Sequence, residues 1–185
     1  MSDEALGRML AERALLEGDF VLRSGRRSSW YLDKYRFETE PEILRALGKS
    51  LADAVSEFEP NAVRLAGPAL GAVALAASAS MTSGLPFIIV RGEAKEYGTA
   101  NRIEGPFEPG ELVCLLEDVV TTGGALRASV SALRDEGLVV RNAISVVDRE
   151  EGGSDALARL GVRLRALFRA EELLELQKTA AKLDG

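Results

Sequence analysis

Residues 112–125, LVCLLEDVVTTGGA, constrain the fold more than any other stretch of the 185-residue chain. The run 112–116 is apolar and too short for a helix, so it reads as a buried strand, spanning 112–117. Two carboxylates, Glu117 and Asp118, come at its end, followed by Val119 and Val120, Thr121 and Thr122, and the pair Gly123 and Gly124. A helical pattern starts at once, with Ala125, Leu126, Val130 and Leu133 on one face. A strand that turns through glycines into a helix aims the unpaired amides of the helix start at one spot, and the helix dipole adds to their pull on an anion. Such a spot suits a phosphate, with the two threonine hydroxyls as further donors. The carboxylates would repel that phosphate. They are better placed to accept from sugar hydroxyls beside it, or to face positive charge developing on the sugar. An ordinary strand-to-helix turn capped by Thr would use the same residues, but two acids at a buried strand end are costly without a ligand.

Composition narrows the chemistry. The chain has no histidine, which excludes Ser-His-Asp and Cys-His nucleophile systems and any His-ligated metal. One cysteine, Cys114, cannot form an internal disulfide and reads as a reduced core residue, in keeping with a cytoplasmic setting. A net charge of −6 argues against a nucleic-acid surface. The N-terminal MSDEALGRML lacks the layout of a signal peptide. Residues 65–90 carry no charge, yet Gly67, Pro68, Gly71, Gly84 and Pro86 interrupt them, so they read as strand, turn, helix and strand, with no membrane span.

Along the chain, residues 3–17 form an amphipathic pattern with Ser2 or Asp3 as cap, ending at Gly18. Residues 20–37 read as two short strands around a basic turn. A helix over 40–57 follows, with Thr39 as its expected cap, Pro41 in its first turn and Glu42 completing a capping box. Its Gly48-Lys49-Ser50 mimics the end of a P-loop, but the segment is helical throughout. From residue 62 strands (62–66, 87–90, 112–117, 143–148, 162–168) alternate with helices (71–82, 124–136, 154–160, 170–182). That order implies an α/β fold, a mainly parallel sheet flanked by helices on both faces, with ligands beyond the carboxyl ends of the strands. Three segments lie there: 66–72 (AGPALGA), 117–125 and 148–153 (DREEGG). The first fits a second phosphate or a loop made small for packing. Residues 91–110 form a long polar connection carrying Arg91, Lys95 and Arg102, read either as a lid or as a solvated hairpin.

Residues 117–125 resemble the signature that binds phosphoribosyl diphosphate (PRPP) in type I phosphoribosyltransferases. Three further stretches resemble the orotate phosphoribosyltransferases in particular. Arg23-Ser24-Gly25 before Trp30 and Tyr31 is similar to their base-covering hood, with Arg23 where the family often has lysine. Arg91-Gly92-Glu93-Ala94-Lys95 is similar to their lid, with Gly92 in place of a common lysine and Tyr97 where many members have histidine, as in archaeal versions. Asp148-Arg149 completes the set.

The resemblance covers nearly the whole chain and implies a single domain, 1–185, with an N-terminal helix and hood over 1–39 and a helix plus α/β core over 40–185. It implies transfer of the phosphoribosyl group of PRPP to N1 of orotate, giving orotidine 5′-monophosphate and diphosphate. Glu117, Asp118 and Lys95 would be catalytic. Arg91, Lys95, Tyr97, Glu117, Asp118, Val119, Val120, Thr121, Thr122, Gly123, Gly124 and Ala125 would bind PRPP, and Arg23, Thr121 and Arg149 would bind orotate. Mg²⁺ is the implied cofactor, held by substrate oxygens and water without a protein metal site. A homodimer is implied, its lid serving the partner's site. A purine or other base phosphoribosyltransferase is the alternative within the superfamily, and a non-catalytic PRPP- or nucleotide-binding regulator the alternative outside it.

Overall fold

The computed structural model describes residues 2–21, 25, 27–92 and 102–183, with side chains to residue 180. Helix α1, Asp3–Ala14, is capped by the Ser2 hydroxyl, which accepts from the Ala5 amide at 3.3 Å. It stops earlier than its apolar pattern suggests, because Leu15 and Leu16 are taken into strand β1, Leu15–Val21, opposite Leu32 and Tyr31 of β2, Arg27–Leu32. Gly18 lies within β1 and ends no helix. A short helix α2, Tyr35–Glu38, then replaces the end of the expected second strand. Thr39 closes it, its hydroxyl donating to the Tyr35 carbonyl at 2.6 Å, and is therefore not the cap of the next helix. Helix α3, Pro41–Phe58, begins after Glu40 with no side-chain cap. Proline fits there, since the first-turn amide it lacks would have no partner anyway.

Strands β3 (Arg64–Pro68), β4 (Phe87–Val90), β5 (Ile103–Glu104), β6 (Leu112–Val120), β7 (Val139–Asp148) and β8 (Arg163–Arg169) form one sheet in the order β5-β4-β3-β6-β7-β8. All pairings are parallel except β4 with β5. Helices α4 (Gly71–Ser83), α5 (Gly124–Asp135), α6 (Gly153–Ala158) and α7 (Ala170–Leu183) connect or follow them. Alternate residues of β6 feed two cores. Cys114 and Leu116 join the one shared with α1, α3 and α4, whereas Val113 and Leu115 join the one under α5 and α6. A strand buried on both faces must be apolar throughout, which is why 112–116 reads so plainly.

Two differences from the sequence expectation have clear causes. Strand β7 starts four residues early because Asn142, a polar break in the apolar run, is buried and satisfied there: its amide donates to the Phe58 carbonyl at 3.0 Å and its carbonyl accepts from Arg163 at 2.9 Å. Two residues of the long 91–110 connection, Ile103 and Glu104, pair with Val90 and Ile89 as an antiparallel edge strand. So short a strand leaves no periodicity to read. Successive parallel pairings run outward from β3 in one direction and from β6 in the other. The sheet therefore has its topological switch point between β3 and β6, where a crevice opens beyond the strand ends.

Candidate active site

Asp118 sits at this crevice, two residues before the end of β6, and is 3% exposed. Its Oδ2 is ion-paired with the ammonium of Lys34, and its Oδ1 accepts from the Val119 amide. Both groups lie against Gly71, the first residue of α4: a Cβ there would fall 1.6 Å from Asp118 Oδ2 and 2.4 Å from Lys34 Nζ. Only glycine permits that approach, so the loop after β3 is brought into contact with the acid after β6. The neighbouring Glu117 is buried as well, and its Oε1 accepts from the Asp118 amide at 3.2 Å.

Three carboxyls and one ammonium share this nearly dry spot, the third being Glu38 of α2, 5% exposed and with Oε1 unpartnered. Burial, then the charge of Asp118, push the Glu38 carboxyl up to about 8. The same two causes hold Glu117 well above the usual carboxylate range. Burial pulls the Lys34 ammonium down, but its hydrogen bond to Asp118 and the Asp118 charge outweigh this and leave it raised. Asp118 is the partner of Lys34 in the ion pair, and burial raises the two carboxyls beside it.

Beyond Asp118 the strand continues through Val119 and Val120, whose side chains pack into the two cores and leave only main chain toward the crevice. The loop then exposes Thr122, half-buries Thr121 and turns at Gly123, whose φ of 76° caps α5 without a side-chain bond. The left-handed conformation favours glycine, and a Cβ would also meet Gly153 at 3.1 Å. The first intrahelical amide bond is Arg127 to the Gly123 carbonyl, so the amides of Gly124, Ala125 and Leu126 are the orphan donors expected of a phosphate cradle.

Arg149 follows β7, held by its amide to the Val120 carbonyl at 2.8 Å. Its guanidinium stacks 4.4 Å from the Trp30 ring centroid and contacts Glu151 at 3.2 Å, while its buried Nε has no partner. The β1–β2 hairpin therefore caps the strand ends through Trp30 on one side and Lys34 on the other.

Arg91 leaves β4 at the same edge of the sheet. Its amide donates to the Arg102 carbonyl at 2.8 Å, its guanidinium lies 3.6 Å from Glu104, and Arg102 reaches the Gly92 carbonyl at 3.4 Å. The two flanks of 93–101 are thus held side by side. Arg23, Lys95 and Tyr97 lie outside the described residues.

All the other sequence-derived site residues fall at the carboxyl ends of β4, β6 and β7. Lys34 and Glu38 were missed, and nothing local could have revealed them. Lys34 reaches its partner across 84 residues of sequence, and in the reading of 20–37 as two short strands it falls within the second.

No family model matches the chain. An orotate phosphoribosyltransferase of Halobacterium salinarum is 47% identical over 174 residues, covering 94% of this chain and 97% of that protein. One from Methanopyrus kandleri is 45% identical across 100% of this chain and 99% of its own length. The crystal structure of orotate phosphoribosyltransferase from Aeropyrum pernix superposes with a TM-score of 0.83 at 36% identity, covering 92% of this chain and 96% of that one.

The raised Glu38 acid makes stability depend on pH in a definite direction. An acid with a higher pKa folded than unfolded favours the folded state below its ordinary value of 4.5, and that contribution is lost as pH rises through about 8. Glu38→Gln cannot ionise. Its melting temperature should therefore gain on that of the wild type between about pH 5 and about pH 8. Parallel curves for the two proteins would remove Glu38 from the ionisation cluster.

Proposed function

The chain belongs to the orotate phosphoribosyltransferase family, and on that footing we propose how its strand-end crevice transfers the phosphoribosyl group of PRPP to orotate, releasing diphosphate and forming orotidine 5′-monophosphate. The observation that carries the assignment of orotate is Arg149, a buried guanidinium with an unpartnered Nε beside an aromatic ring. A planar carboxylate on a flat pyrimidine suits both, through charge-assisted hydrogen bonds and stacking. Thr121 and Arg23 join it in this reading.

The 5′-phosphate rests on the amides and hydroxyls of 121–125, where the uncapped start of α5 supports it. Asp118, with Glu117 behind it, accepts from the ribose hydroxyls and faces the positive charge that develops as the bond to diphosphate breaks. Orotate brings its own attacking nitrogen. Catalysis then rests on positioning and electrostatics, and a chain without histidine suffices.

The donor set fits a magnesium ion carried in on the substrate. Among the described residues no group of three or more acids or thiols is placed to hold a metal, and burial raises the two carboxyls beside Asp118. Such an ion, held by the substrate's own oxygens, would supply positive charge to offset that of the departing diphosphate. In this reading Arg91, Lys95 and Tyr97 close over the diphosphate and exclude water, with Arg91 joined to Arg102 main chain to main chain at the strand ends.

In this reading residues 1–185 work as one cytoplasmic domain, its hood joined to the core through Trp30 and Lys34. A melt in two separate steps, or recovery in the membrane fraction of cells, would contradict that.

Incubation with PRPP, Mg²⁺ and a panel of bases tests the assignment, with diphosphate release as readout. Orotate alone should support turnover. Adenine or hypoxanthine in its place would point to the purine branch of the superfamily, and no turnover with any base to a regulator. Arg149→Ala should raise the KM for orotate about tenfold or more and leave that for PRPP nearly unchanged, since one charge-assisted pair to the base is lost. A change confined to the PRPP constant would mean that Arg149 serves the other substrate.

The functional unit in this account is a homodimer whose lid serves the partner's site. Lys95→Ala and Asp118→Asn, inactive alone, should recover roughly a quarter of wild-type activity when mixed and allowed to exchange subunits, because half the dimers then hold one complete site. Recovery no greater than the sum of the separate variants, after exchange has been verified, would place the lid over its own subunit.

A further inference from the structure

Both oxygens of Asp118 are engaged by the protein itself, Oδ2 by Lys34 and Oδ1 by the Val119 amide. A ribose hydroxyl arriving at Oδ2 must share that oxygen with the ammonium or displace it. The Lys34 side chain is 32% exposed, against 5% for Asp118, so the lysine is the member free to move. Its ammonium also lies against Gly71, where α4 begins without a side-chain cap. The loop at 69–71 thus presents main chain and one cation together beside Asp118. Asp118 is buried and charge-paired, so the partner that draws the partly exposed ammonium away from it must itself be anionic.

We infer that Lys34 is a substrate-binding residue that changes partners: it neutralises Asp118 while the site is empty and moves to the diphosphate of PRPP when the site fills. The inference rests on the phosphoribosyl-transfer reading above and deepens it. The exchange leaves no charge stranded. Diphosphate brings the anion that Lys34 needs, while the ribose hydroxyls and the developing positive charge of the sugar take over Asp118. Glu38, buried and with Oε1 unpartnered at the same spot, provides a proton-bearing neighbour for Asp118 during the exchange. Binding at the diphosphate end is thereby coupled to release of the acid needed at the sugar. A ligand favours one arrangement only through contacts it makes better there, and here both halves of PRPP do so.

The test separates this role from simple support of Asp118. Lys34→Gln keeps a hydrogen-bond donor for Asp118 and removes the charge, and Lys34→Arg keeps the charge. Inhibition by diphosphate with Mg²⁺ is measured for both variants, together with the KM values for PRPP and orotate and a melting curve. Lys34→Gln should weaken diphosphate inhibition and raise the PRPP KM by about tenfold each, with the orotate KM within about twofold, and Lys34→Arg should restore most of the loss. Diphosphate inhibition unchanged in Lys34→Gln, with only kcat or the melting temperature reduced, would overturn the inference and leave Lys34 as a fixed counter-ion. Should Lys34→Gln fail to fold, Lys34→Arg decides alone: its diphosphate inhibition must stay within about threefold of the wild type, since the charge is kept. Wild-type turnover of PRPP and orotate, run alongside, checks the underlying reading independently of either variant.

Discussion

The ion pair between Asp118 and Lys34, pressed against the backbone of Gly71, is the contact on which the rest of the crevice depends. It joins three segments distant in sequence: the turn after the hairpin, the loop after β3 and the end of β6. Without Lys34, three carboxyls would share this spot with no other cation on them among the described residues. The pair also places the hairpin. Lys34 fixes its exit to one side of the crevice, and the stack of Trp30 on Arg149 fixes its second strand to the other. A two-stranded hairpin is marginal by itself, so these contacts and the packing of Leu15 and Leu32 in the core hold it over the strand ends.

Electrostatics and topology reinforce one another here. The switch point between β3 and β6 would exist in any sheet of this order, but it becomes a chemical site because both strands end in unusual loops. One is so small that its backbone touches a carboxylate. The other leaves β6 through two buried acids and turns at Gly123 into an uncapped helix. An anion is favoured at the helix start, and a cation or hydroxyl at Asp118. A phosphorylated sugar that becomes positive during reaction meets both demands at once.

Much of this was legible in the sequence. Strand–helix alternation from residue 62 gave the sheet and its helices to within a few residues, because parallel strands buried on both faces are continuous apolar runs. The acidic pair, the Thr/Gly turn and Arg149 fall at strand ends as that reading required. The remainder was hidden for physical reasons. Leu15 and Leu16 suit the last turn of a helix as well as the start of a strand, and only pairing with Leu32 and Tyr31 decides between them. Asn142 looked like the end of a strand until its partners at Phe58 and Arg163 were in place. Lys34 and Glu38 carry no local signal. Their role exists only through the fold that brings them to Asp118.

The central claim is that one crevice holds phosphate on 121–125 and a pyrimidine carboxylate on Arg149. A crystal structure with orotidine 5′-monophosphate bound tests this most directly. The account predicts the 5′-phosphate on the amides of the 121–125 loop, the ribose hydroxyls on Asp118, and the base carboxylate on the Arg149 guanidinium near Trp30. A nucleotide bound with its phosphate away from that loop, or with its carboxylate in solvent and out of reach of Arg149, would contradict it.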